Sequence, residues 1–577
     1  MLPPNLSKRI SQAAQKSQAQ EFVKDKIIKD VDALITSYKD LPPEEYSNKL
    51  KYITSMLPHF PEEFHLAIAQ KLDDAGVIKK DKFLSMVRQH KRKKEKREED
   101  DKRPSSLKCV LNVIKETVVD YWHNSSRAYV TVSGGRHFAV DDHMFEAWVT
   151  NLYSNKYEEP PPAEALNRGI AWTESRCLHE GSRHVAHVRV GAFYGEEGLL
   201  GVYVDLANDK NEAIEIGPTD VKVVKSPLVR FVRTPGIDPL PYPQNSDENH
   251  LAWFAERFAL DDSDYVLLLG FLLASLHPLG PYPVLEITGE QGTGKSLLSK
   301  FIKMLIDPGK AALRSPPQNE RDLMIWAYNS WLICMNNISG MNAWLSDALC
   351  RLSWDGGFST RKLYTDNQEI VFDQRRPVVV NGIGTTGAIT RRPDLADRSI
   401  GIFLNAIPDE DRISESELTA DFIKHYPFML SELYSAVSMA LRNYKYVELE
   451  AKPRMADIAT WVTAGEEAFR LPQGSFVNAL MKHTALVKAI IFEGDNFAKL
   501  VYDYLVKFEG PIELSASELM EKLSYTLGDK KPPSWWPESA EMFGRRLTRV
   551  APLLRQQGVD IVYKRSGGRR VYRISKI

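Results

Sequence analysis

One octapeptide constrains this chain more than any other feature. Gly289-Glu290-Gln291-Gly292-Thr293-Gly294-Lys295-Ser296 is a full GxxxxGKS match. The apolar run Val284 to Ile287 precedes it as a strand, and Leu297, Leu298, Phe301, Ile302 and Leu305 recur at helical spacing after it. A polyphosphate has to be wrapped by successive backbone N–H groups, and glycines let the chain approach closely enough to do so. In that chemistry Lys295 contacts the β- and γ-phosphates and Ser296 ligates Mg2+ through its hydroxyl. ATP with Mg2+ is therefore the expected cofactor pair, although the residues do not separate ATP from other nucleoside triphosphates. From His250 to about Asn405 the pattern alternates helix and strand, as in an α/β core.

Hydrolysis needs an acid at the end of a neighbouring strand, and here the pattern departs. Trp331 to Met335 is the obvious strand, but it ends in Asn336-Asn337. An amide brings no negative charge to a metal and is a poor general base, so the residues support ATP binding better than fast turnover. Asp347 and Asp355 compensate only if the fold carries them to the phosphates. A third strand, Pro377 to Val380, ends at Asn381, placed either to sense the γ-phosphate and hold the attacking water or simply to make a turn. The segment Thr390 to Arg398 then supplies arginines that can reach a neighbouring subunit's nucleotide, with Arg398 the first choice and Arg392 the second; a surface salt bridge is the competing explanation.

The 577 residues, 43% hydrophobic and 10% aromatic, are enough for several packed cores and exclude a fibrous or wholly disordered chain. The pattern predicts a helical N-terminal domain over 1–89, a charged linker or solvated helix end over 90–106, and a strand-rich α+β domain over 107–247. A P-loop ATPase core over 248–410, a helical lid over 411–497 and a winged-helix-like domain over 498–577 follow. Cys177, His179, His184 and His187 fall within eleven residues, but His184 and His187 read as opposite faces of one alternating strand, which argues against a metal site. Four cysteines without a CxxC pair suit a reducing cytoplasm, and the amino terminus has no apolar core, so no secretory signal is expected. The most apolar run, Val266 to Leu276, is short of the ~20 residues a bilayer crossing takes, so no membrane partner is expected.

Net charge is only −1, yet its distribution is uneven. From Phe543 to Ile577 there are ten Lys or Arg and a single acid, Asp560. A helix with Phe543, Leu547, Val550 and Leu553 or Leu554 inward presents Arg545, Arg546 and Arg549 outward. A Gly-turned hairpin carrying Lys564, Arg565, Arg569 and Arg570 follows. The combination resembles a winged helix, whose affinity for duplex DNA falls steeply with salt.

The order of GEQGTGKS, LICMNN, GGFSTRKLYTDNQEIVFDQRRPVVVNG and RRPDLADR resembles the superfamily 3 helicases and related AAA+ replication proteins of phages, plasmids and viruses. From about Ala128 onward the chain is similar to prophage-encoded ATP-binding DNA primase/helicase proteins, through WLSDALCRL, GGFSTRKLYTD, RPVVVNGI and RPDLADRSI. The departure is Asn336, where that group usually carries aspartate. The resemblance implies an AAA+-type fold and a homo-oligomer, with the hexameric ring of such helicases as one form. It also implies a basic hairpin in the ring channel, which makes Arg361 and Lys362 candidates for gripping single-stranded DNA. The expected function is an ATP-dependent helicase or replication initiator of a mobile element. The alternative, favoured by Asn336-Asn337, is a hydrolysis-poor regulatory or defence protein whose assembly or DNA binding is gated by ATP.

Overall fold

The computed structural model describes residues 4–102, 105–124, 127–196, 198–361, 369–372, 374–384, 392–408, 410, 412–527, 532–566 and 569–577. It divides into two compact units, Met1–Asn112 and Val113–Ile577. In the first, helices Pro4–Ser37, Pro43–Met56, Glu62–Asp74 and Lys80–Lys102 pack around Val31, Leu34, Ile53, Leu57, Leu72 and Phe83. The backbone is helical to Lys102, so the charge block from His90 continues the last of these helices rather than interrupting it.

The second unit begins with strands in two antiparallel arrays. Val118–His123, Ala128–Val132 and His137–Ala139 pair with one another, and helices His143–Tyr157 and Ala163–Glu180 follow them. Val190–Gly195, Gly198–Asp205, Ala213–Ile216 and Val221–Val224 form a meander. The stretch from Ser182 to Gly195, expected as one alternating run, is three separate strands with different partners. Ser182–Arg183 pairs with the Val118–His123 strand, Ala186–His187 with Arg230–Phe231, and Val190–Gly195 with the meander. His184 thus belongs to no strand, and the opposite-face argument for His184 and His187 does not apply.

At the centre lies a four-stranded parallel sheet ordered Ile333–Met335, Val378–Asn381, Val284–Gly289, Ser399–Leu404. Every residue of the Val284–Gly289 strand is buried, as expected where both faces of a parallel sheet are covered. Asp261 caps the apolar helix Asp262–Ser275, nine of whose residues are buried. Ser414 caps the helix Glu415–Asn443 through a capping box with Glu417. By length and composition alone the helix Ser475–Gly494 is long enough to cross a bilayer. In the structure its Phe476, Val477 and Leu480 belong to the large central core.

The C-terminal region is a three-stranded sheet, Ile512–Leu514, Arg569–Lys576 and Val559–Ser566 in that order, packed with helices Asn496–Leu505, Ala516–Leu527 and Ala540–Gln556. Ser539 caps the last helix, and Phe543, Leu547, Val550, Leu553 and Leu554 are all buried, so both leucines turn inward. Tyr572 Oη donates to Gly544 O at 3.2 Å, and a Cβ at residue 544 would lie 2.8 Å from that hydroxyl. The hairpin and the helix are therefore in direct contact.

Candidate functional site

The central strand Val284–Gly289 delivers its chain into the loop Glu290–Gly294, and the helix Lys295–Ile306 leaves from it. Gly289 runs so close to the neighbouring strand that a Cβ there would lie 2.4 Å from Leu404 O. Gly294 has φ 85°, a left-handed conformation that side-chain-bearing residues rarely adopt, and it occupies the N-cap of the helix. Glu290, Gln291 and Gly292 are exposed, whereas Thr293 and Lys295 are buried. The N–H groups of a helix start beside turned glycines are of the kind that holds an anion.

Lys295 bends back into this loop. Its Nζ donates to Glu290 O and, at 3.3 Å, to Thr293 Oγ1, which itself donates to Glu290 O at 3.1 Å. Burial lowers its pKa, because these neutral partners replace water imperfectly. Among the described residues no carboxylate pairs with it.

The strand order brings the asparagines to the same end of the sheet. Ser296 Oγ donates to Asn336 Oδ1 at 2.7 Å, across forty positions of sequence. Asn337 takes a left-handed φ of 57°, tolerated better by Asn than by most residues, and its N–H donates to Asn381 Oδ1 at 3.0 Å. Asn381 is fully buried, and its Nδ2 donates to Ser299 Oγ at 2.7 Å. Ser299 Oγ donates in turn to Lys295 O at 2.9 Å. Lys295, Ser296, Asn336, Asn337 and Asn381 are thus one connected cluster at the mouth of the sheet, joined through hydroxyls and amides.

The other sequence candidates lie apart from that cluster or outside the described side chains. Arg398 stacks its guanidinium over Trp354, 5.5 Å from the ring centre, and lies beside Cys350. Arg392 donates to Ala343 O at 2.9 Å and pairs with Asp347 at 3.3 Å, so Asp347 is committed to a salt bridge. The side chain of Asp355 lies outside the described residues. Phe358–Arg361 and Glu369–Phe372 do form an antiparallel hairpin, with Arg361 opposite Glu369. Lys362 and the side chain of Arg361 lie outside the described residues.

On the C-terminal helix Arg545 and Arg549 are exposed. Arg546, expected to face outward with them, instead donates to Trp535 O at 2.7 Å and lies 5.0 Å from the Phe497 ring centre, held by packing inside its own domain. Lys564, Arg565 and Arg570 are exposed on the hairpin, while the side chain of Arg569 is outside the described residues. Cys177 donates to Tyr129 O, and His184 contacts Ser182 Oγ and the Arg230 guanidinium. Among the described residues no three His, Cys, Asp or Glu side chains converge as a metal group.

Three neighbours of the loop carried no signal in the sequence reading. A Cβ on Gly294 would lie 3.3 Å from the Phe258 ring, and a Cβ on Gly292 would lie 3.9 Å from an Arg412 guanidinium nitrogen. Asp264 accepts the Phe403 N–H at 3.0 Å beside the strand that flanks Gly289, and burial pushes its pKa up to about 6. None sits in a recognisable motif; Arg412 belongs to a short mixed-charge stretch before Ser414.

Residues 255–474 match the family described as the actinomycete integrative conjugative element replication protein. Residues 497–577 match the AICE RepA C-terminal domain. No curated protein matches the chain in sequence. Among solved structures, the A form apo structure of the NrS-1 C-terminal region is similar at 12% identity and a TM-score of 0.37, covering 82% of this chain and 100% of that one. An SCCmec type IV Cch active helicase is similar at 12% identity and a TM-score of 0.38, covering 78% of this chain and 90% of that one. The two matched segments together span just over half of the chain, and each is similar to the replication proteins of actinomycete integrative conjugative elements.

Proposed function

We propose that the chain is an ATP-dependent DNA replication protein of a mobile element, a superfamily 3-like helicase or initiator built on an AAA+-type core. The observation that carries this reading is the contact of Ser296 with Asn336 at 2.7 Å beside a buried Lys295. Those positions suit a nucleoside triphosphate and its magnesium. Glu290, Gln291 and Gly292 of the loop are open to solvent, and Lys295 lacks the anion that would restore its pKa. Ser296 Oγ and Asn336 Oδ1 are hard oxygen donors of the kind Mg2+ takes alongside phosphate and water. Bound there, the ion neutralises phosphate charge; the chain's residues hold and orient.

Lys295 grips the phosphates, Arg412 adds a second cation from the same subunit, and Asn381 holds Asn337 and Ser299 in place behind them. Arg398 serves a neighbouring subunit in a homo-oligomeric ring. The Phe358–Phe372 hairpin contacts single-stranded DNA, and the winged-helix-like C-terminal domain grips duplex phosphates through Arg545, Arg549, Lys564, Arg565 and Arg570.

Steady-state ATP hydrolysis with and without single-stranded DNA, beside Lys295→Ala, tests this. DNA-stimulated turnover that vanishes in the variant is the expected result. Nucleotide binding that depends on Lys295 without any turnover would replace the motor by the second reading, an ATP-gated regulatory protein. Asn336-Asn337 favours that second reading, because an amide pair supplies no base for water.

A further inference from the structure

Away from the phosphate loop, a cavity of about 560 Å³ opens at the foot of the hairpin, between the strand-rich region and the central core. That volume falls within the range of small-molecule sites. Gln374 and Arg376, just after the second hairpin strand, form part of its wall, and Gln374 Nε2 donates to Ala186 O at 3.0 Å across it. Arg127, Arg183 and Arg376 line it with one carboxylate, Asp142, which caps the Met144 N–H at 2.9 Å; Arg127 is paired with Asp141 at 2.6 Å, so the positive charge rests on Arg183 and Arg376. Arg376 is buried and donates to Ala327 O and Gln374 Oε1 among other partners. Two imidazoles stay neutral there. Burial and the Arg376 charge hold His187 at about 4, and burial and Arg230 lower His184. Tyr328 supplies an aromatic face and Asn329 an amide.

Cationic groups beside neutral aromatic and amide groups are what a nucleotide unit requires, the first for phosphate and the second for a base. We propose that this cavity binds one nucleotide unit, presented either by a single strand leaving the hairpin or as a free mononucleotide. It is independent of the phosphate loop and does not require ATP binding.

The test uses the full chain with two probes, a labelled oligothymidylate carrying 5-iodouracil and thymidine monophosphate. Arg183→Glu changes an exposed side chain, and Val185→Trp fills the rim from a position 58% exposed, so both variants keep the wild-type melting temperature and ATP affinity. Arg183→Glu is expected to weaken oligothymidylate binding about tenfold and reduce the salt slope by about 1, as loss of one phosphate contact does. Photocrosslinks are expected in the peptides carrying Arg183 to Val188 or Tyr328, and Val185→Trp removes them. Crosslinks displaced by thymidine monophosphate assign a mononucleotide site; crosslinks that resist it assign a strand site. Wild-type affinity for both probes in both variants, or crosslinks confined to other peptides, overturns the proposal.

Discussion

The helix Lys295–Ile306 carries a buried lysine near each end, and the two are treated in opposite ways. At the C-terminal end Lys303 Nζ donates to Asp307 Oδ2 at 2.6 Å and to Leu332 O at 2.8 Å. Asp307 also takes Arg189 Nε at 3.0 Å and the N–H groups of Trp331 and Leu332. Arg189 is fully buried and gives its remaining donors to Asp205 O, Asp238 O and Pro308 O. Burial alone would raise the Asp307 pKa, but Lys303 and Arg189 outweigh it and hold it at about 2. At the N-terminal end Lys295 meets only a carbonyl and a hydroxyl, and the nearby Asp264 is biased toward its neutral form. Where two buried cations share a buried carboxylate and their other donors meet carbonyls, the cluster is architecture. Where a buried cation is left among neutral groups, the fold keeps a place for an anion from outside.

The contrast breaks most visibly at Asp307. Asp307→Ala strands Arg189 and Lys303 in the interior and is expected to cost about 3–5 kcal/mol in chemical denaturation. A loss below about 1 kcal/mol would mean that the cluster contributes little to the fold. Lys295→Ala should do the reverse, lowering nucleotide affinity more than about tenfold while leaving the unliganded melting temperature unchanged; a large stability loss would make Lys295 structural. Asn336→Asp places a carboxylate beside Ser296, so hydrolysis should rise by about tenfold, and unchanged turnover would remove Asn336 from the reacting end. The smallest effect concerns pH. Because the folded pKa of Asp264 is raised from 3.8 to about 6, its proton favours the folded state, and stability falls as pH rises through that window. Asp307 has the opposite sign: its contribution is present above pH 3.8 and is lost as pH falls toward about 2. Asp264→Asn should flatten the first slope alone in urea titrations at each pH.

Local pattern was enough to read much of this architecture. Strand, glycine loop and helix follow one another over residues 284–306, and apolar runs mark the strands ending at Met335, Asn381 and Leu404. The asparagine cluster was partly legible, because strand ends of a parallel sheet converge on one edge. What pattern could not carry was pairing at long range. Arg189 and Asp307 are 118 positions apart, and neither stands in a motif. The run from Ser182 to Gly195 alternates like a single strand, yet its three pieces find three different partners, which only tertiary context decides. Arg546 shares the helical spacing of its outward neighbours but is captured by Phe497 and Trp535, residues outside its helix.

The two ends of that helix are also held by different kinds of contact. At 1.5 Å per residue its twelve residues make a rod of about 18 Å. One tip is clamped by a saturated ion cluster to the strand-rich region, and the other rests on single hydroxyl and amide contacts. The rod is thus anchored by buried charge at the tip away from the loop and by neutral hydrogen bonds at the tip beside it, where the strand ends at Asn336 and Asn381 lie closest.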